Sequence, residues 1–313
     1  MNIGETISKK RKDLGMTRKD SFESVIYTTM NRRNPNAAIS SSTLYVSDLD
    51  GTLMRNDQTL SPKTIETINF LVEKGVNFTY ATARSISSSR AITKDLHLRI
   101  PVITRNGCVL ADNNTGTVLE KSIFSESDVV FLRENLPELS HTGFVSSYEE
   151  DEMYKTYCGT DHSYGLKKYI NAHISDHRMK QIEEPGKLFQ GVIGYVTMID
   201  DREKLLPVYE RMKTNPHLEC VFQKDTYGDE YWLEICPENS TKANAILQLK
   251  ERLGFDKLVV FGDSVNDLSM FRIADESYAV KNAIEEVRLA ATAVIGTNEE
   301  DAVAEFLQSV KIK

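Results

Sequence analysis

From residue 44 onward, short apolar runs alternate with longer stretches in which apolar residues recur at helical spacing. Three of the short runs are rich in β-branched and aromatic residues, as is typical of buried strands: residues 44–48, 76–80 and 258–261. Ser61 and Pro62 suit the start of the helix between the first two strands, and Gly75 suits its end. This order of strand, helix and strand predicts a right-handed crossover and a parallel sheet.

The same alternation returns near the C-terminal end of the chain. Thr241 is suited to cap a helix that ends at Gly254. Further strand-like runs are residues 101–104, 231–235, 278–280 and 293–295. We therefore predict an α/β fold with a Rossmann-like, mostly parallel sheet. Ligands of such sheets bind beyond the carboxyl ends of the strands, so the chemistry is expected there.

The middle of the chain has a different pattern. Residues 123–226 are rich in tyrosine, histidine and acidic residues, and their apolar runs are short and interrupted. We predict an inserted α+β cap domain over residues 123–226, between the two parts of the core domain, residues 44–122 and 227–313. Residues 1–43 end in asparagine-, proline- and serine-rich linker composition and are predicted to form an N-terminal extension.

The composition of the 313 residues is typical of a soluble folded protein, with 40% hydrophobic and 27% charged residues. It excludes a disordered, collagen-like or coiled-coil chain. Because no apolar run approaches the ~18–20 residues of a membrane span, we expect no membrane partner. The four cysteines are far apart and no secretion signal is present, which favours free thiols and a cytoplasmic location.

The charge of the chain is unevenly distributed. The net charge is −8, which argues against a general nucleic-acid binder, yet residues 1–33 carry eight basic and four acidic side chains. Residues 1–20 resemble the opening of a bacterial helix-turn-helix regulator. A working unit needs several helices and a recognition helix, for which the extension is too short. We expect no nucleic-acid partner and interpret the extension as a degenerate fragment or a tail.

Four segments place polar residues at predicted strand ends or at a helix start. They are Asp48–Thr52, Ala81–Arg84, Ser240–Ala243 and Gly262–Asp267. Each has an ordinary alternative, because Asp-Gly is a common turn, a hydroxyl can simply cap a helix, and a lone lysine is usually solvated. Their combination at one edge of a sheet is what favours a functional site.

The acidic residues of these segments would repel one another unless a divalent cation neutralised them. Oxygen ligands without a nearby histidine or cysteine favour Mg²⁺ over zinc. Lys242, the hydroxyl of Thr82 and backbone N–H groups beside such a metal would form a phosphate cradle. The residues alone therefore predict a metal-assisted phosphate site.

The set of motifs resembles that of the haloacid dehalogenase superfamily, and within it the Cof-type phosphatases. The matching elements are Asp48-x-Asp50-Gly51-Thr52, the strand-end Thr82, Lys242 and Gly262-Asp263-x-x-Asn266-Asp267, with a large cap inserted between the second and third. Further matching pieces are Arg105–Gly107, Leu233–Ile235 and Lys281–Ala283. One departure is Ala83, where the group usually has glycine; it keeps the N–H group and adds a methyl.

The resemblance implies a Mg²⁺-dependent phosphatase in which Asp48 attacks phosphorus and forms an aspartyl-phosphate intermediate. Asp50 would protonate the leaving oxygen and then accept a proton from water. The metal would be held by the Asp48 carboxylate, the Asp50 backbone carbonyl and Asp263. Asp267 would support these ligands from behind.

The phosphoryl oxygens, by the same resemblance, would be held by Thr82, the Ala83 N–H group and Lys242, with Asn266 helping to orient that side of the site. The cap is expected to close over the site and to exclude water. The expected substrate is a small phosphorylated metabolite, either a sugar phosphate or a nucleotide-like phosphate.

Three alternatives stay open at this point. One is a phosphatase devoted to a single sugar phosphate, of the sucrose-phosphate or mannosylglycerate-phosphate type, and another is a phosphomutase. The third is a regulator that binds a phosphorylated ligand through a retained fold and DNA through its N-terminal extension. Intact Asp48, Asp50, Lys242 and Asp263 favour catalysis over this third alternative. The sequence does not indicate an oligomeric state.

Overall fold

The computed structural model describes residues 42–149 and 152–310. The predicted N-terminal extension, with its helix-turn-helix resemblance, therefore lies almost entirely outside the described residues. The chain divides into two compact units. The core unit comprises the described residues up to Glu120 and from Lys242 onward, and the inserted unit runs from Lys121 to Thr241.

The strands of the described residues are β1 (Thr43–Ser47), β2 (Asn77–Tyr80), β3 (Val102–Thr104), β4 (Val109–Ala111), β5 (Val118–Lys121), β6 (Gly143–Glu149), β7 (Glu152–Cys158), β8 (Met179–Ile182), β9 (Val192–Asp200), β10 (Leu218–Lys224), β11 (Tyr231–Pro237), β12 (Lys257–Gly262), β13 (Glu276–Ala279) and β14 (Ala293–Val294). The α-helices are α1 (Pro62–Glu73), α2 (Ile86–Thr93), α3 (Glu126–Asn135), α4 (Leu139–Thr142), α5 (Tyr164–Ala172), α6 (Arg202–Met212), α7 (Lys242–Leu253), α8 (Leu268–Ile273), α9 (Glu285–Ala290) and α10 (Ala302–Ser309). Short helical turns are Leu49–Leu53, Arg105–Gly107, Pro185–Lys187, Val265–Asp267 and Asn298–Glu300.

The core unit is built on a parallel five-stranded sheet in the order β14-β13-β12-β1-β2. The central strand β1 has Val46 opposite Val260 of β12 on one side and opposite Thr79 of β2 on the other. Both valines are fully buried, together with Ile246 of α7, which explains why these strands are continuously apolar. The predicted mostly parallel α/β fold is confirmed.

Local signals begin and end the crossover helix as predicted. The Ser61 hydroxyl accepts a hydrogen bond from the Thr64 backbone N–H at 2.9 Å, and Pro62 is the first residue of α1. Gly75 follows the helix with a φ of +95°, a left-handed conformation that glycine adopts without steric cost. This helix returns the chain to β2, beside β1.

The inserted unit contains a six-stranded sheet in the order β10-β11-β9-β6-β7-β8, in which β7 and β8 are parallel and the other neighbours antiparallel. One hydrophobic cluster joins its strands to α3 and α6, and includes Leu132, Val196 and Leu205. A smaller cluster, formed by Phe144, Leu166 and Ile199, includes α5. The unit is thus α+β, with helices against the sheet.

The structure corrects the assignment of the strand near residue 231. We predicted residues 227–313 as core domain, but β11 pairs with β9 and β10 in the inserted unit. Leu233 and Ile235 of β11 are fully buried there. An apolar strand with this degree of burial has the same sequence pattern in either sheet, so the pattern alone could not assign it.

Two further findings concern the described part of the chain. Cys108, Cys158, Cys220 and Cys236 are free, as predicted. Across residues 42–149 and 152–310, no helix has both the length and the apolar character needed to cross a bilayer.

Candidate active site

The end of β1 brings Asp48 to the carboxyl edge of the five-stranded sheet. The Asp48 backbone N–H donates to the carbonyl of Phe261 in β12 at 2.9 Å, and the Ala81 N–H donates to the carbonyl of Ser47 at 2.9 Å. Because β1, β2 and β12 are parallel and end together, the segments that follow them meet at this edge. Three of the four motif segments therefore come together at this edge.

The turn after Asp48 approaches the loop after β12 very closely. Gly51 has a φ of +76°, and a Cβ atom placed on it would lie 2.6 Å from Oδ2 of Asp263. The Thr52 hydroxyl donates to Oδ1 of Asp263 at 2.6 Å. Asn282 donates to the Gly51 carbonyl at 2.8 Å and supports the turn from the other side. Glycine at position 51 thus suits the left-handed conformation, and a larger residue there would displace the Asp263 carboxylate.

The loop after β12 is held by the carboxylate of Asp267. Its Oδ2 accepts from the backbone N–H groups of Asp263 at 2.8 Å and of Ser264 at 3.0 Å. Its Oδ1 accepts from Nζ of Lys242 at 2.8 Å. Both oxygens of Asp267 are therefore engaged in positioning neighbouring groups, and the residue is fully buried.

Lys242, the first residue of α7, is the cation of the site and is 1% exposed. Its Nζ donates to Oδ1 of Asp48 at 2.5 Å as well as to Asp267. Burial alone would lower the pKa of Lys242, but the charges of Asp267 and Asp48 outweigh burial and raise it. The lysine is held in its charged form, which is the form that can attract a phosphoryl group.

Asp48, Asp263 and Asp267 form a buried acidic cluster whose ligand atoms lie within 4.8 Å of one another. Burial raises the pKa of Asp48 well above its ordinary value, against the lowering effect of Lys242. Burial, with the nearby charge of Asp267, raises the pKa of Asp263 to about 8. This crowding of carboxylates and the oxygen-only donor set fit a hard divalent cation, which would relieve the repulsion.

Asp50 faces a different partner from the acidic cluster. Arg84 donates from Nε to Oδ2 of Asp50 at 2.8 Å and from Nη2 to Oδ1 at 2.6 Å. Arg84 belongs to the second motif segment, but the sequence pattern assigns it no role. The pattern likewise assigns no role to Thr52 or Asn282. The fold shows that Thr52 contacts Asp263 and that Asn282 contacts the Gly51 carbonyl.

The second motif segment follows β2. Thr82 is fully buried, its N–H donates to the Ile103 carbonyl, and its hydroxyl oxygen accepts from the Arg84 N–H at 3.1 Å. Ala83, the next residue, is half-buried. Asn266 donates from Nδ2 to Oδ1 of Asn106 at 3.1 Å, which joins the loops after β12 and β3. Thr82, Ala83 and Asn266, which are predicted to bind phosphate, thus lie in segments that follow strands ending at the same edge of the sheet.

A parallel sheet with buried acids and a buried lysine at its carboxyl edge defines an α/β enzyme core. Residues 45–307 match the family model of haloacid dehalogenase-like hydrolases, and the chain belongs to this family. The predicted superfamily and Cof-type group are thereby confirmed.

Named relatives and a solved structure agree with this assignment. The 5-amino-6-(5-phospho-D-ribitylamino)uracil phosphatase YwtE of Bacillus subtilis is 25% identical over 284 residues, or 84% of this chain and 96% of the relative. The pyridoxal phosphate phosphatase YbhA of Escherichia coli is 27% identical over 269 residues, again 84% and 96%. The crystal structure of TM0651 from Thermotoga maritima is 26% identical, with a TM-score of 0.66 over 86% of this chain and 98% of that chain. The predicted enzyme class, a phosphatase of the haloacid dehalogenase type, is confirmed.

Proposed function

We propose that this chain hydrolyses a small phosphorylated metabolite with the help of Mg²⁺, by transfer of the phosphoryl group to Asp48. The observation that carries the proposal is the buried contact of Lys242 with both Asp48 and Asp267 beside Asp263. The named relatives act on two phosphorylated small molecules, 5-amino-6-(5-phospho-D-ribitylamino)uracil and pyridoxal phosphate. They support this substrate class and leave the individual substrate to experiment.

The metal would be held by the carboxylates of Asp48 and Asp263 and by the backbone carbonyl of Asp50. Asp267 is better suited to support, because both of its oxygens already accept hydrogen bonds from Lys242 and from backbone N–H groups. When bound, Mg²⁺ would polarise a phosphoryl oxygen and offset the charge that develops in the transition state.

Asp48 is proposed as the nucleophile. Lys242 contacts its Oδ1, so Oδ2 is the oxygen that would form the new bond to phosphorus. As that bond forms, the bond between phosphorus and the leaving oxygen breaks, and Asp50 gives its proton to that oxygen. Water then attacks the phosphorus of the aspartyl-phosphate, Asp50 takes up the proton of the water, and inorganic phosphate leaves with Asp48 restored.

Binding of the transferring phosphoryl group is proposed for the Lys242 ammonium, the Thr82 hydroxyl and the Ala83 N–H group, with Asn266 orienting that side. The hydrogen bond between Asn266 and Asn106 supports this orienting role, because it fixes the amide against a neighbouring loop. The added methyl of Ala83 leaves the backbone donor in place. Positioning and charge stabilisation are the terms on which phosphoryl transfer depends most.

The nucleophile is tested by replacing Asp48 with asparagine, which keeps the shape and removes the attacking charge. We expect Asp48→Asn to abolish Mg²⁺-dependent release of p-nitrophenol from p-nitrophenyl phosphate, and EDTA to abolish it in the unchanged protein. The matched control is Asp256→Asn at an exposed residue of the same unit, which should keep full activity. Undiminished turnover by Asp48→Asn would refute the proposal.

The substrate is tested separately, by measuring inorganic phosphate released from a panel of phosphorylated metabolites. We expect release from several small phosphate esters. A response confined to one sugar phosphate would favour the dedicated sugar-phosphate phosphatase instead. Isomerised sugar phosphate without release of inorganic phosphate would favour a phosphomutase.

A further inference from the structure

Arg84 holds the carboxylate of Asp50 at two points. Its Nε and Nη2 donate to the two oxygens of Asp50 at 2.8 and 2.6 Å, and both side chains are about one-fifth exposed, 18% and 21%. The guanidinium is itself anchored, because Nη2 also donates to Oε1 of Gln58 at 2.9 Å. A planar guanidinium that meets a carboxylate in this way fixes its plane as well as its position.

The backbone around Asp50 directs its side chain away from the acidic cluster and toward Arg84. Asp50 lies in the turn Leu49–Leu53, between Asp48 and a glycine with a left-handed φ, and its own φ and ψ of −71° and 119° are not helical. Its carboxylate is not part of the acidic cluster formed by Asp48, Asp263 and Asp267. The side chain is therefore aimed by Arg84, which comes from the segment after β2.

We infer that Arg84 is a positioning residue that orients the Asp50 carboxylate toward the leaving oxygen; the inference rests on the proposed function, in which Asp50 transfers the proton. A carboxylate has about four lone-pair positions on its two oxygens. Oδ1 accepts from Nη2 and, at 3.1 Å, also from Nε, whereas Oδ2 accepts from Nε alone, so Oδ2 keeps a lone-pair position for the proton that is transferred. Loss of Arg84 would let the carboxylate rotate while Asp48, Lys242 and Asp263 keep their contacts.

The test compares two aryl phosphates of similar shape, p-nitrophenyl phosphate and phenyl phosphate. p-Nitrophenolate leaves easily without a proton, whereas phenolate needs one, so kcat/KM for phenyl phosphate reports on proton transfer. Asp50→Asn serves as the reference, and a general acid of this kind contributes about 10²–10⁴-fold. We expect Asp50→Asn to lose most of this factor with phenyl phosphate and much less with p-nitrophenyl phosphate.

Like Asp50→Asn, Arg84→Ala should lower kcat/KM more for phenyl phosphate than for p-nitrophenyl phosphate. Misplacement of a catalytic group by about 1 Å costs up to about 10²-fold, so we expect a loss with phenyl phosphate that exceeds the loss with p-nitrophenyl phosphate by about tenfold or more. The loss should fall on kcat rather than on KM, and added guanidinium ion should restore part of it. Arg84→Lys, which keeps the charge but lacks the planar two-point contact, should fall between Arg84→Ala and the unchanged protein.

The matched control is Arg90→Ala. Arg90 lies on α2, the helix that follows Arg84, and donates to the carbonyls of Asn113 and Asn114. Its loss should leave both substrates unaffected. Thermal unfolding of each variant shows whether it is folded, and Arg84→Lys provides the test if Arg84→Ala does not fold.

Equal losses of Arg84→Ala on the two substrates, or a rise in KM alone, would overturn the inference and assign Arg84 to structure or to substrate binding. If Asp50→Asn discriminates between the substrates and Arg84→Ala does not, the proposed function stands and only the role of Arg84 falls. If Asp50→Asn itself shows no discrimination, the acid role of Asp50 and the inference fall together.

Discussion

A single glycine sets how closely the two acidic loops of the site approach each other. Gly51 and Gly254 both have left-handed backbones, with φ of +76° and +69°. A Cβ atom on Gly254 would meet no atom within 4 Å, whereas one on Gly51 would lie 2.6 Å from Oδ2 of Asp263. Substitution at Gly254 therefore tests only the strain of a left-handed backbone, whereas substitution at Gly51 tests this strain together with the clash against Asp263.

We predict that Gly254→Ala destabilises the protein by about 1 kcal/mol and keeps full activity, because only the left-handed backbone is strained. Gly51→Ala should carry the same conformational cost and also displace Asp263, lowering Mg²⁺-dependent activity by about tenfold or more. Urea unfolding and p-nitrophenyl phosphate turnover measure the two effects. Equal activities of the two variants would show that the close approach at Gly51 is not needed.

The sequence pattern could predict that Asp48, Lys242 and Asp263 come together, because Asp48 and Asp263 follow strands that end at one edge of the sheet and Lys242 begins a helix there. The partner of Asp50 could not be predicted in this way. Its pairing with Arg84 depends on the backbone dihedrals of the turn at Gly51, which decide where a side chain 34 positions away meets it. Contacts of this kind follow from the folded turn rather than from the motif.

At the scale of elements, α2 is attached to the sheet by a buried polar network. The hydroxyl of Tyr80, at the end of β2, donates to Oδ1 of Asn113 at 2.7 Å and lies within hydrogen-bond distance of the Ser89 hydroxyl of α2, at 3.0 Å. Thr93 of α2 donates to the same amide oxygen at 2.9 Å. Burial raises the pKa of Tyr80 to about 12, so the phenol keeps its proton as a donor. The network fixes the helix that follows Thr82 and Arg84.

We predict that Tyr80→Phe lowers the free energy of unfolding by about 1–3 kcal/mol, because buried partners lose a hydrogen bond. Activity should fall only modestly, since no side chain proposed to act on the substrate is removed. Tyr278→Phe is the control, as the Tyr278 hydroxyl contacts the Glu276 carboxylate in a less buried setting. Chemical unfolding of both variants checks the prediction, and equal losses of stability would count against a special role of the Tyr80 network.

Elements with strong local signals were predictable, and elements defined by their partners were not. The helix α1 could be predicted because Ser61, Pro62 and Gly75 give its start and end independently of the fold. The strand β11 was equally recognisable as a strand, yet its sheet was misassigned. Hydrophobic burial is non-directional, so Leu233 and Ile235 would be satisfied in either sheet, and only the antiparallel register with β9 and β10 decides.

At the scale of the whole molecule, the candidate site lies in the core unit and not in the inserted unit. All residues assigned to the metal and to the phosphoryl group lie in the core unit, while the single tryptophan, Trp232, lies in the inserted unit. Tryptophan fluorescence therefore reports on the unit without the acidic cluster. Far-ultraviolet circular dichroism, which follows the helices of both units, is the appropriate measure of how a metal affects stability.

The acidic cluster predicts that an Asp263→Asn variant is at least as stable as the unchanged protein without Mg²⁺ and less stable than it with Mg²⁺. Asp263→Asn removes one buried carboxyl group from beside Asp48 and Asp267 and keeps an oxygen to accept from the Thr52 hydroxyl. In EDTA at neutral pH the variant should be at least as stable as the unchanged protein, because burial and the charge of Asp267 raise the pKa of Asp263 in the folded state and so make folding of the carboxylate unfavourable. At a Mg²⁺ concentration about 100 times its Kd, the unchanged protein should gain about 2.7 kcal/mol and the variant much less. The exposed Asp256→Asn variant should follow the unchanged protein in both conditions. If Asp263→Asn were equally stabilised by Mg²⁺, the metal would have to be bound elsewhere, and the proposed ligand role of Asp263 would be wrong.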